Sequence, residues 1–525
     1  MLHEQLLWKN MNLSSAQRQR LWSTMDKMQT SRPVEVVKTL LAHGAEFPIN
    51  GSLYKQHAPL TFACKNGNVE LVELLLERCS VDLLQRHAAT FAFAALSSYD
   101  LDILQILYDN GVDIINVTDE EGKTALHEAC KLGADDIASC LLQRGANITA
   151  MSNDGLFPIH SACQSRTWDT AQRLIIYGAD PNMRSRKGTT PLMVACQSGS
   201  LEVVHKLLSR YANVHDTDDN GVSPLHFALL QGHALPHVSF QVTELLLKSG
   251  ADLNCLTTDG RLPLHYACLG KSTMILEYLE HHGVDMMSKT LKNDTPLHFT
   301  ATLKNGALTE FFLERGASAV AVNASGVTPL HVAASNGNLQ VVKLLLENGA
   351  SPSAMDNSGR TALYAAAKHG HKDVTECLIE ADATVVAAST AMWTPLHAAS
   401  ANGHAEIVQL LIDNGAKVNA ATGASDSVHL SRITSNSGNS EFTESQNSGD
   451  DDTNRQQCDV GHVPLHCAAE GGYDSVVLLL LKNGAKVDVQ IQETGTTALH
   501  YAAKSGNAEI VTLLLEHGAD VGETD

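Results

Sequence analysis

Apolar positions along this chain fall into two alternating kinds of segment. One kind is short and rich in small residues, as in PLHVAA from Pro329 and PLHAAS from Pro395. The other is longer and apolar at helical spacing, as in VVKLLLENGA from Val341 and IVQLLIDNGA from Ile407, and ends in Asn-Gly. A Gly-Asn or Gly-His turn separates the two (Gly337-Asn338, Gly370-His371, Gly403-His404). The pattern predicts pairs of short antiparallel helices. One pair cannot cover its own apolar face, so stability has to come from stacking pairs on one another.

The pairs recur in register. TALHEAC starts at Thr124, FPIHSAC at Phe157, TPLMVAC at Thr190, SPLHFAL at Ser223 and LPLHYAC at Leu262. TPLHFTA, TPLHVAA, TALYAAA and TPLHAAS follow at Thr295, Thr328, Thr361 and Thr394, then VPLHCAA at Val463 and TALHYAA at Thr497. Weaker copies stand earlier, APLTFAC at Ala58 and ATFAFAA at Ala89. Seven of the twelve spacings are 33 residues. Pro at the second position suits the first turn of a helix, where its missing N–H costs nothing, and the preceding Thr can cap that turn.

A 33-residue period built on T-P-L-H-x-A resembles the ankyrin repeat, and about 470 of the 525 residues carry it. The resemblance implies an all-α solenoid of helix-turn-helix units joined by β-turn fingers. It also implies partners docking on the finger tips and the inner side of the first helices. Thirteen layers at roughly 10 Å each would extend about 130 Å.

The expected organisation has four parts. Residues 1–57 form an N-terminal cap and partial repeat, with helices at Ser14–Gln29 and Pro33–Phe47. Residues 58–421 hold most repeats, and 461–525 the last ones. Between them, 422–460 is a Ser/Asn/Asp-rich insertion too polar to order itself. A six-residue insertion also lengthens the repeat around Ala234–Phe240. The last helix, with Ile510, Leu513 and Leu514, lacks a polar replacement, which suggests a continuing chain or a covering surface.

Charge narrows the function. With 37 Lys and Arg against 58 Asp and Glu, the net charge is −21, which disfavours nucleic acid and anionic membrane as partners. No apolar run is long enough to insert in a membrane. Eleven cysteines spread through 525 residues read as reduced thiols, hence a cytoplasmic chain, with the nucleus also open to it.

No nucleophile elbow, phosphate loop, metalloprotease motif or carboxylate pair is present, so no enzyme and no cofactor is expected. The His-x-x-Cys spacing of His127/Cys130, His160/Cys163 and His265/Cys268 imitates metal ligands. Cys there occupies the slot of Ala334, Ala367 and Ala503, and stacked repeats hold equivalent positions in a line, so no metal is expected. In the family the motif His ties neighbouring fingers together.

Candidate partner contacts are Arg184, Arg186 and Lys187, a basic finger on an acidic chain, with Arg261, Arg360 and Trp393 just before the motif. Nucleic-acid binding would rest on the 184–187 finger alone. Modification candidates are Asn182, Asn254 and Asn419, which resemble the site hydroxylated in many family members or are simply turn asparagines. Ser448, followed by Gly-Asp-Asp-Asp, resembles an acidic-directed phosphorylation site. The expected function is a protein–protein scaffold or adaptor. The alternative is the ankyrin region of a larger signalling or membrane protein, such as a channel's cytosolic domain or a ubiquitin-ligase substrate receptor.

Overall fold

The computed structural model describes residues 59–522 apart from 78, 166, 232–235, 424–459 and 493. The helices expected at 14–29 and 33–47, the bulk of the 422–460 insertion and Ser448 lie outside the described residues. The chain divides after Asp252 into two compact units.

Both units are built the same way. A short inner helix that starts on Pro or Ala is followed by an outer helix, as in Ala125–Leu132 with Asp135–Gln143, or Pro329–Ser335 with Leu339–Glu347. The described residues hold helices and two isolated β-bridges, Thr118 with Thr124 and Met355 with Thr361, inside the fingers.

Each inner helix starts where the motif says. Thr190, Thr328, Thr361 and Thr394 have extended backbone and accept a hydrogen bond from the N–H three residues on. Pro191, Pro329 and Pro395 occupy the first turn. Glycine in the left-handed region ends several of them, including Gly133, Gly199 and Gly370.

The core is thin and follows the pattern. Ala129, Cys130, Ala162, Cys163 and Ala195 are fully buried where successive inner helices pack together. Larger residues fill the layer beneath the outer helices, as with Val341, Val342 and Leu345 or Ile407, Val408 and Leu411. At about 25 cal/mol per Å² of apolar surface, such layers stabilise only in stacks.

Three places depart from the regular unit. The connection before Ala88 holds a short helix, Val81–Arg86, capped by Ser80, in place of a finger. The six-residue insertion extends an outer helix, which runs over thirteen residues from Pro236 to Lys248. At the end of the chain, Ile510 and Leu514 are fully buried in their own unit, and Leu513 is half-buried. Ile510 and Leu514 therefore need no covering surface, while Leu513 stays partly open. Leu515 is the more exposed apolar residue of that helix.

Candidate interaction surface

Fingers connect each outer helix to the next inner helix, and their hydrogen bonds decide which side chains remain available. Within a finger the chain folds back on itself: Asp356 N–H donates to Arg360 O at 2.9 Å, and Ser389 N–H to Trp393 O at 2.8 Å. Between fingers, Asn153 N–H donates to Glu121 O, Arg186 N–H to Gly155 O and Asp219 N–H to Lys187 O in the first unit. In the second unit Ala324 N–H donates to Lys292 O (2.8 Å), Asn357 N–H to Ser325 O (3.0 Å) and Thr390 N–H to Ser358 O (2.9 Å). These bonds need close approach. A Cβ on Gly155, at φ +78°, would lie 2.3 Å from the Cβ of Arg186.

Seven motif histidines bind repeat to repeat. His127 Nδ1 accepts from Thr124 N–H at 3.1 Å, while Nε2–H donates to Leu156 O of the next finger at 3.1 Å. His160, His298, His331 and His397 repeat the arrangement toward Thr189, Val327, Arg360 and His462. His265 and His466 reach carbonyls of Ser288 and Val489, further back in the next finger. Burial pushes His160, His265, His397 and His466 down to about 4, although each carbonyl partner opposes the shift. Both nitrogens of a neutral ring are thereby used, which leaves no lone pair for a metal.

The cysteines beside them are buried thiols. Burial lifts Cys64 to about 12, and Cys130, Cys163, Cys196 and Cys268 still further. Among the described residues no group of three His, Cys, Asp or Glu converges as a metal set, and no helix is long and apolar enough to cross a membrane.

Most of the candidate cations are engaged. Arg184 donates to Thr217 O of the following finger at 2.6 Å, and Arg186 to Asn153 O of the preceding one at 3.2 Å. Lys187 stands exposed beside them. Arg261 pairs with Asp259 at 2.8 Å and lies over the Phe299 ring. Arg360 pairs with the buried Asp356 at 2.9 Å. Trp393 is half-buried, its ring centroid 5.6 Å from that of His397, and its indole N–H is buried without an acceptor.

The asparagines divide. Asn182 donates to Tyr211 O and accepts from Asn213 N–H, joining adjacent repeats, and Asn419 does the same with Gly484 O and Lys486 N–H. Asn254 is exposed. The two bridging amides are held by neighbouring repeats rather than by local turn bonds alone.

Residues 28–115, 60–152, 91–185, 159–240, 215–290, 234–317, 270–356, 348–422 and 430–525 match the family described as ankyrin repeats (3 copies).

The chain belongs to the ankyrin-repeat family.

Ankyrin repeats are a general protein-interaction module. A 120-residue stretch is 37% identical to human protein phosphatase 1 regulatory subunit 27, covering 22% of this chain and 73% of that protein. A 99-residue stretch is 33% identical to leucine-rich repeat serine/threonine-protein kinase 1 of Caenorhabditis elegans, covering 18% of this chain and 4% of the kinase. A 62-residue stretch is 45% identical to mouse BCL-6 corepressor-like protein 1, covering 12% of this chain and 3% of that protein. The crystal structure of the human ASB11 ankyrin repeat domain covers 50% of this chain and 99% of its own, at 24% identity and a TM-score of 0.39.

The sequence reading passed over one set of surface residues. Leu291, Val322, Met355 and Met392 lie on consecutive fingers of the second unit, each about half exposed or more. The signal was present as an absence: the fingers SAVAVNASGV (318–327) and TVVAASTAMW (384–393) contain no charged residue.

Proposed function

We propose that this ankyrin-repeat chain is a scaffold or adaptor that binds partner proteins through its fingers and inner-helix surface. The finger-to-finger backbone bonds support this reading most directly. They hold variable side chains on a framework that needs little ordering when a partner arrives, which lowers the entropic cost of binding. The free thiols among the described residues agree with a reducing compartment, the cytoplasm or the nucleus. The kinase and the corepressor are much longer than the stretches they share with this chain. That favours, as a second reading, a role as the ankyrin region of a larger signalling assembly.

A photo-crosslinking residue introduced at Ser358, on a finger, or at Glu376, on an outer helix, tests the site in cell extract. Partner proteins are expected to crosslink from position 358 and not from 376. Equal capture from both, or capture from 376 alone, would refute binding through the fingers.

A further inference from the structure

Four consecutive fingers of the second unit each expose a large apolar side chain. Leu291 is 73% exposed, Val322 52%, Met355 53% and Met392 49%. The backbone bonds from Ala324 to Lys292, Asn357 to Ser325 and Thr390 to Ser358 tie these fingers into one ladder, so the apolar side chains are neighbours in sequence of layers. Arg360 adds no available charge, being held by Asp356.

Met392 adds a second, independent sign. It occupies the slot filled by Gly326 and Gly359 in the two preceding fingers, and adopts φ 58° where those glycines have 72°. A long side chain in the left-handed region is strained. The strain is kept for a residue that then sits half in water. Trp393 beside it has a buried indole N–H with no acceptor, which disfavours the unbound arrangement.

The tract is electrically lopsided. At its Leu291 end, Lys289 and Lys292 are exposed and make no ion pair among the described residues. Both acids of that finger are engaged, Asp285 accepting from Met287 N–H at 2.9 Å and Asp294 from Asn323 at 2.8 Å. At the other end, the 384–393 finger has no charge at all.

Resting on the protein-interaction reading above, we propose that the fingers from Lys289 to Trp393 bind an extended segment of a partner protein, apolar along most of its length and acidic at the end over Lys289 and Lys292. Three steps between layers at roughly 10 Å give a track of about 30 Å, which an extended chain covers in about nine residues. The carboxylates pair with the two free ammonium groups, and apolar side chains cover Val322, Met355 and Met392. A main-chain carbonyl gives the Trp393 N–H an acceptor after a small rotation of the ring. A second copy of this chain fits poorly, because an antiparallel two-fold pairing would set Lys289 and Lys292 over the uncharged 384–393 finger, leaving them no acid, on molecules that each carry −21.

The test selects a random twelve-residue phage-displayed peptide library on the full chain. Selected peptides should combine an apolar run with Asp or Glu at one end. Their binding should fall at least 30-fold in Val322→Glu/Met355→Glu and at least tenfold in the milder Val322→Ser/Met355→Ser, with unfolding midpoints unchanged. Lys289→Glu/Lys292→Glu should weaken them at least fivefold, and replacing the peptide acids by Lys should restore binding to that variant. Peptides that are basic or uncharged, insensitivity to both Val322/Met355 variants, or no selected peptide at all would overturn the proposal. Peptides lost instead in Arg186→Glu/Lys187→Glu would overturn it while leaving finger-mediated binding intact. Failure of the crosslinking test, by contrast, would remove that broader reading.

Discussion

Tyr211 shows what one residue costs this framework. It stands where Gly145, Gly178 and Gly349 end the corresponding outer helices, holds φ 64°, and is 90% exposed. The ring has nothing to bury, and the left-handed backbone disfavours any Cβ. Glycine relieves that strain but gains freedom in the unfolded chain, which offsets part of the benefit. Tyr211→Gly is therefore expected to stabilise the protein by about 0.5–1 kcal/mol, measured by denaturant unfolding. A loss of stability would show that the ring makes contacts the exposed geometry does not suggest. The same single-residue view explains why Asn182 escaped a purely local reading: its amide spans 29 and 31 residues to reach Tyr211 and Asn213.

A finger is the element in which the period tolerates interruption. In a regular finger Ser389 N–H donates to Trp393 O, and the Ser389 hydroxyl accepts from Trp393 N–H. Across the insertion, Thr422 N–H donates to His462 O at 2.8 Å, and the Thr422 hydroxyl accepts from His462 N–H at 2.9 Å. Gln492 N–H then donates to Val460 O of the preceding finger, as other fingers do. The stem closes whatever its tip contains, and loop-closure cost grows by only about 0.6 kcal/mol per doubling of length. Replacing Ala424–Asp459 with a short Gly-Ser link should leave the unfolding midpoint within a few degrees. A large fall in that midpoint would mean the removed residues contribute to packing. The position of this stem was readable from the period. That Thr422 and His462 would substitute for Ser389 and Trp393 was not, because they are 40 residues apart in the chain.

For the whole molecule, stability should follow the repeated histidine. His160 in the first unit and His265, His397 and His466 in the second are held near 4 by burial, against an ordinary value of 6.5. Between these values the unfolded chain binds protons that the folded chain does not, so stability rises with pH in that window and is lost as pH falls through it. Each ring contributes on the order of 3 kcal/mol over the full shift. The thermal midpoint should be level above about pH 6.5 and drop steeply toward pH 4.5. A midpoint independent of pH in that range would mean the rings titrate normally and are not locked between repeats. His397→Gln, which keeps one polar group in the site, should flatten part of the slope.

The residues and their 33-residue spacing determined the fold class, the helix pairs and the thin core of Ala, Cys, Val and Leu, while the linking role of the motif histidine was implied by the family resemblance. The first three features follow from local periodicity and from one unit written many times, since a repeat meets only copies of itself. Which finger side chains stay available was decided by tertiary structure. Arg184, Arg186 and Arg360 look alike in the sequence as cations on an acidic chain, yet each is held by a carbonyl or carboxylate of its own or an adjacent finger. Lys289 and Lys292, unremarkable in sequence, make no ion pair among the described residues. The physical reason is that hydrogen bonds between fingers join atoms about one period apart, and which side chains they consume depends on the distance between layers.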